Sequence, residues 1–180
     1  PRKITMTKTS ILLFTITLLT FSCSVKSSRS NRTDAEIIKA IDEKAISNIK
    51  TKKLCTGWYY VLDTISDFNY QLDKSSETYY LDPTPIVIKD NIKSTEIYET
   101  DFKGQAEDYV GLKIQLDEFG AKKWAYATEK SILKKLAFVI DNKLIAASQV
   151  NCQIKMGVTA INRTEYDKKD IEKFKKLLGK

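Results

Sequence analysis

The 180-residue chain contains no histidine, which excludes Ser-His-Asp triads and imidazole-ligated metal sites. It has three cysteines and no Cys-x-x-Cys pair, so thiol–disulfide exchange has no motif to work through. Asp63, Asp67, Asp73 and Asp82 lack the short fixed spacing around a glycine that a calcium loop requires. Charges of the two signs are interspersed without a block of either, which leaves no basic stripe for nucleic acid. No apolar run reaches the ~20 residues that span a bilayer, and there is no internal repeat. The carboxylates are plentiful but unpaired in any catalytic sense. Asp117-Glu118 reads as helix N-terminal chemistry, where the dipole favours negative charge, and Asp141-Asn142 reads as a turn. The sequence assigns no catalytic residue, no metal and no cofactor, and it reads as non-enzymatic.

What is present begins with a leader. Arg2, Lys3 and Lys8 precede an uncharged stretch, Ile11 to Phe21, whose length of about 11 residues fits the apolar core of a secretory signal. Met6 is read as the natural start. The stretch closes on Leu19-Thr20-Phe21-Ser22-Cys23, and a polar, serine-rich segment follows through Asn31. A small residue before a cysteine at this place resembles the lipobox of bacterial lipoproteins, in which the thiol receives diacylglycerol and the chain is cut just before it. The resemblance implies signal peptide 1–22, a lipidated Cys23 carrying acyl chains such as palmitate, and a tether over 23–32. At roughly 0.8 kcal/mol per buried methylene, several acyl chains anchor a protein stably. The expected partner at this end is membrane lipid, with Lys26, Arg29 and Arg32 beside the headgroups.

Loss of residues 1–22 leaves about 158 residues, one domain plus tether. The formal charge of +7 then falls by the three leader cations to about +4. Cys55 and Cys152 remain. In an exported chain the two can form a disulfide; alternatively, they are two separate thiols packed as small hydrophobes.

Thr33 with Glu36 three residues on reads as a capping box, opening an amphipathic helix to about Lys50 on Ile37, Ile38, Ile41, Ala45, Ile46 and Ile49. Leu54 to Leu62, rich in aromatic and β-branched residues, is the first strand, followed by an excursion or hairpin to Ser76. Short strands are expected at Tyr79–Leu81 and Ile86–Ile88, with Pro83 and Pro85 favouring an edge or turn. A helical turn is expected at Asp90, then strands over Ser94–Phe102 and Tyr109–Leu116. A helix follows from Glu118 to about Lys134, with Phe119, Trp124, Ala127, Ile132 and Leu133 as its apolar surface. Leu136–Ile140 and Leu144–Ala147 read as a tight hairpin. Gln153–Met156 and Val158–Ile161 add strand, and a lysine-rich helix runs from Asp167 to Leu178. Helix and strand mix without βαβ alternation. The class is α+β, a mixed, mainly antiparallel sheet with packed helices.

The run Val110 to Trp124, with its strand, acidic turn and Gly120-Ala121 opening a helix, carries a family resemblance. Thr128-Glu129, then Lys135 to Ala147, Val150 to Ile154 and Gly157 continue it in order. This succession resembles the head portion of the first periplasmic domain of SecD, an accessory subunit of protein export, over about residues 79–178. Residues 33–78 are then the N-terminal part of the same domain and 79–180 its SecD-head-like region. Ala147-Ser148 departs from the family's Ala-Pro, and the membrane helices of SecD have no counterpart here. The resemblance implies a fold, an envelope location facing the periplasm or cell surface, and contact with exported or unfolded polypeptide.

Trp58, Tyr59, Tyr60, Tyr79 and Tyr80 concentrate the aromatics. They serve either as core and cross-strand packing or as a face that accepts an extended peptide by strand addition. Under the second reading the expected face is Trp58, Tyr60, Tyr80 and the hairpin residues Leu144, Ile145 and Val150. The function read is a membrane-anchored envelope lipoprotein acting as a binding or accessory module on exported polypeptides. The alternative is an interaction lipoprotein with one fixed protein partner in an envelope complex.

Overall fold

The structure, a computed structural model, describes residues 32–100 and 109–179. The leader, Cys23 and most of the tether lie outside the described residues. Helix α1 (Asp34–Thr51) starts as expected: Thr33 accepts from Glu36 N, and Glu36 returns a bond to the Thr33 backbone. Ile37, Ile41, Ala45 and Asn48 form its buried line. Strand β1 (Gly57–Leu62) starts three residues later than expected. Side chains take the preceding backbone donors instead: Leu54 N donates to Asn142 Oδ1 (2.8 Å) and Cys55 N to Asn48 Oδ1 (3.0 Å).

The excursion after β1 forms β2 (Asn69–Gln71), a hairpin partner of β3 (Thr78–Leu81). β3 and β4 (Val87–Ile88) lie along the same side of β1, separated by the proline-containing bend. On its other side β1 pairs with β7 (Lys135–Ile140), and β7 with β8 (Lys143–Gln149), all antiparallel. This larger sheet, in the order β2-β3-β1-β7-β8 with β4 beside β1, curls until its two edges touch at a parallel bridge, Leu72 to Leu144. Tyr59, Phe68, Leu72, Leu81, Ala137, Val139 and Leu144 fill the inside of the curl.

A 3-10 turn (Lys89–Asn91) leads into the second sheet, β5 (Ile92–Thr100), β6 (Tyr109–Leu116) and β9 (Val158–Ile161), antiparallel in that order. The expected strand end at Phe102 lies outside the described residues. Helices α2 (Glu118–Lys130) and α3 (Lys168–Leu178) complete the fold. The main core joins the outer face of the larger sheet, through Trp58, Phe138 and Ile145, to Leu112, Ile114 and Ile161 of the smaller one, with Trp124, Ile171 and Phe174 from the helices. The α+β class and the antiparallel sheets stand as read.

Two expectations need correction, and the cysteine pair left open above is found unbridged. Helix α2 stops at Lys130, not Lys134, because the chain beyond it is captured by the end of β8: Leu133 N donates to Val150 O (2.7 Å), and Ile132 and Val150 form a parallel bridge. Gln153–Met156 is not a strand. Thr128 Oγ1 accepts the Ile154 N–H (2.9 Å) that a sheet partner would otherwise take. Cys55 and Cys152 are free. The β1–β7 register puts Cys55 beyond the Ile140 end of β7, while Cys152 lies past its Lys135 end. Roughly 17 Å of strand, at ~3.3 Å per residue, separates positions that a disulfide would need within about 7 Å.

Candidate functional site

Of the expected binding face, four residues belong to the interior. Trp58, Leu144, Ile145 and Val150 are buried. Trp58 stacks on Phe138 (ring centroids 4.0 Å apart) and meets Trp124 edge-on at 5.7 Å. Leu144 fills the curl of the sheet. Ile145 and Val150 join the main core: a bulge opposite Phe138 and Val139 makes Ile145 an extra residue that shares a side with Ala146, away from Leu144, and Val150 lies on that side four residues after Ala146. An apolar alternating hairpin has the same appearance whether one or both faces are covered.

Tyr60 and Tyr80 are half-buried and lie on the same sheet face as Trp58. Tyr60 follows Trp58 by two along β1, and Tyr80 opposes Leu62, two further on. Helix α2 covers the Trp58 end of this face and stops at Lys130, which leaves the Tyr60 end open. There the Lys130 ammonium sits 4.8 Å from the centre of the Tyr126 ring. Burial, followed by the neighbouring Tyr126, raises the Tyr60 hydroxyl above its ordinary pKa; Lys130 works the other way, and Asp82 adds to the rise. Asp82 is held in place by its backbone N–H to Tyr60 O (3.0 Å).

The turn after α2 brings two aliphatic side chains to the same end of the sheet. Ile132 is exposed, and Leu133 is 75% exposed while holding φ at +67°. The left-handed conformation costs a non-glycine residue about 1–2 kcal/mol, and Leu133 recovers none of that by burial. Lys134 reaches Asp63 (3.4 Å), just past the end of β1, and Ile65 nearby is 86% exposed. The arrangement is a rim of Tyr60, Tyr126, Ile132 and Leu133, with Lys130 and Lys134 interspersed and Ile65 two residues beyond Asp63; Lys135 turns to the other face of the sheet, toward Tyr79 and Glu77. The rim offers apolar contact area and cations to a ligand surface, and it holds no general acid–base pair.

Sequence reasoning missed Tyr126, Ile132 and Leu133 as surface residues. The signal was there: the buried period of α2 runs Trp124, Ala127, Thr128, Ser131, and Ile132-Leu133 falls off it, between lysines. The carboxylates behave as read. Asp117 caps α2 by accepting from Gly120 N (2.7 Å), and Glu118 pairs with Lys122 at 2.9 Å. Among the described residues no group of histidine, cysteine and acidic side chains is arranged to hold a metal, and no helix is long and apolar enough to cross a membrane.

The sequence matches the family of the SecDF P1 head subdomain over residues 66–171, more than half of the chain. The chain belongs to that family. The SecDF P1 head match begins thirteen residues earlier than the resemblance read from the sequence, so β2 belongs to the head region, not to the preceding part. Two solved structures share the fold. One is SecDF in a super-membrane-facing form, at 15% identity and TM-score 0.51, covering 78% of this chain and 20% of that one. The other is a structure of SecDF, described as a membrane component that enhances protein export, at 13% identity and TM-score 0.52, covering 84% and 89%. The chain therefore spans about a fifth of the first SecDF chain, and at these identities the likeness establishes the fold. No curated protein matches the chain in sequence.

Proposed function

We propose that this chain is a lipid-anchored envelope protein whose SecDF P1 head-type domain contacts exported, unfolded polypeptide as a non-enzymatic accessory to export. The observation that carries the reading is the rim, above all Leu133, which is exposed in a strained left-handed conformation. Strain retained without burial points to a role outside the fold. Mixed apolar and charged groups suit a polypeptide, which presents both side chains and backbone polar groups. Family membership supports a connection with export. The leader and the lipobox-like Cys23 support an anchor facing the periplasm or cell surface.

Photoreactive residues introduced at positions 126 and 133 in intact cells test the contact. A smear of adducts with many exported proteins supports it; a single discrete adduct favours one fixed partner and overturns it. Cys23→Ser tests the anchor separately, since it is expected to move the chain from the membrane to the soluble fraction.

A further inference from the structure

Helix α1 carries a second apolar surface that the core does not use. Ile38, Ile46 and Ile49 are 45%, 66% and 56% exposed. At helical spacing they form one stripe beside the buried line of Ile37, Ile41 and Ala45, interrupted by exposed Asp42 on the row between Ile38 and Ile46. The charges along the helix are segregated. Asp34, Glu36, Asp42 and Glu43 lie in its first ten residues with Lys39 alone against them; Lys44 and Lys50 follow, and Lys52 and Lys53 come directly after the helix. Part of this charge is already engaged: Lys39 pairs with Glu43, Lys52 with Asp67, and Glu36 bonds Thr33. Among the described residues, Asp42, Lys50 and Lys53 have no salt-bridge partner. The helix dipole favours the same acidic-to-basic order, but it does not account for the isoleucine stripe alongside.

We propose that this stripe docks a second copy of the chain, the two α1 helices lying antiparallel. A two-fold contact sets the same patch against itself, and antiparallel pairing places the acidic half of each helix against the basic half of its partner. Parallel pairing would set like against like. A membrane surface rich in anionic lipid fits less well, because it favours lysines along the whole polar margin of an interfacial helix, and here half of that margin is acidic. One helix face per protomer is less than the ~800 Å² per partner of standard interfaces. The pairing is thus weak in dilute solution and is strengthened by confinement on a membrane; to that extent it rests on the anchor proposed above.

The test places a photoreactive residue at position 46 of the full-length chain in cells, with one at exposed Lys155 as the control. The expected result is an adduct of twice the chain mass from position 46 alone. That adduct is expected to fall at least fivefold with Lys50→Glu and Lys53→Glu together, and to return when Asp34→Lys and Asp42→Lys are added. Lipid adducts alone, an adduct with a different protein, or a dimer indifferent to the charge reversals overturns the proposal. Fractionation of the same cells reports the anchor independently. A chain found in the soluble fraction counts against Cys23, and the dimer is then decided on concentrated purified protein.

Discussion

Gly157 lies directly against Ala121. A β-carbon on Gly157 would fall 2.5 Å from Ala121 Cβ and 2.9 Å from its Cα, and Gly157 also holds φ at +61°. The contact presses the loop before β9 onto the first turn of α2, and Leu116 N, at the end of β6, donates to Gly157 O at 2.9 Å. Two landmarks of the family resemblance, the Gly-Ala that opens a helix and the lone glycine some thirty-five residues later, are thus the two sides of one close approach.

Gly157→Ala is therefore expected to destabilise the domain by about 2–4 kcal/mol, combining the left-handed penalty with overpacking. Urea denaturation measures it. Adding Ala121→Gly removes the closer overlap, with Cβ, but leaves the 2.9 Å approach to Cα and the backbone penalty, so the double variant should recover only part of the loss.

Arg163 and Tyr166 close the seam of the curled sheet. Arg163 donates to Asp73 O (2.7 Å) and Ile145 O (3.1 Å); Tyr166 Oη lies 3.0 Å from Ile145 O and 3.2 Å from the Asp73 carboxylate. Lys143 approaches the same carboxylate at 2.7 Å. Arg163→Ala leaves two backbone carbonyls without this donor, and a loss of about 2–3 kcal/mol is expected. Tyr166→Phe is expected to cost about 1 kcal/mol. Thermal unfolding of the two variants checks the order.

Acid sensitivity has a named contributor. The hydrogen bond from Lys74 (2.5 Å) holds the Asp170 carboxyl below its ordinary value of 3.8, against the opposing effect of partial burial. A depressed carboxylate contributes stability above its unfolded pKa and loses it as pH falls through the folded one. The contribution is thus present near neutral pH and declines below about pH 4. Lys74→Met should flatten the fall of melting temperature between about pH 4 and 2, leaving the slope above pH 5 unchanged.

Leu133→Gly separates stability from function. Removing the left-handed penalty stabilises by about 1 kcal/mol, less the entropy that glycine gives up. The same change deletes the most exposed side chain in the strained turn, so polypeptide crosslinking from position 126 should fall. A variant that is both less stable and fully active would contradict the role given to Leu133.

The sequence carried the α+β class, all three helices, the capping box at Thr33 and the Asp141-Asn142 turn, because each depends on local periodicity or local hydrogen bonding. Both turn residues indeed hold positive φ, +46° and +65°, as two-residue hairpins require. What escaped depends on partners distant in sequence. Thr128 denies Ile154 to a sheet, Val150 ends α2 early, and the curl that buries Leu144 is closed by Leu72. Tyr60 is half-buried and Ile145 wholly buried, since alternation alone does not show whether a second layer covers a strand. The head-family motif was legible because its residues each have a structural task around α2: Gly120 N donates to Asp117, Ala121 packs on Gly157, and Thr128 accepts from Ile154 N.

The most direct measurement of the central claim is competition binding with the full chain in nanodiscs. A fluorescent unfolded polypeptide is bound first, and unlabelled unfolded polypeptides of unrelated sequence are then titrated in. The account predicts displacement by all of them at comparable concentrations, and at least tenfold weaker binding for Leu133→Asp. Displacement by one sequence alone, or binding untouched by Leu133→Asp, would contradict it.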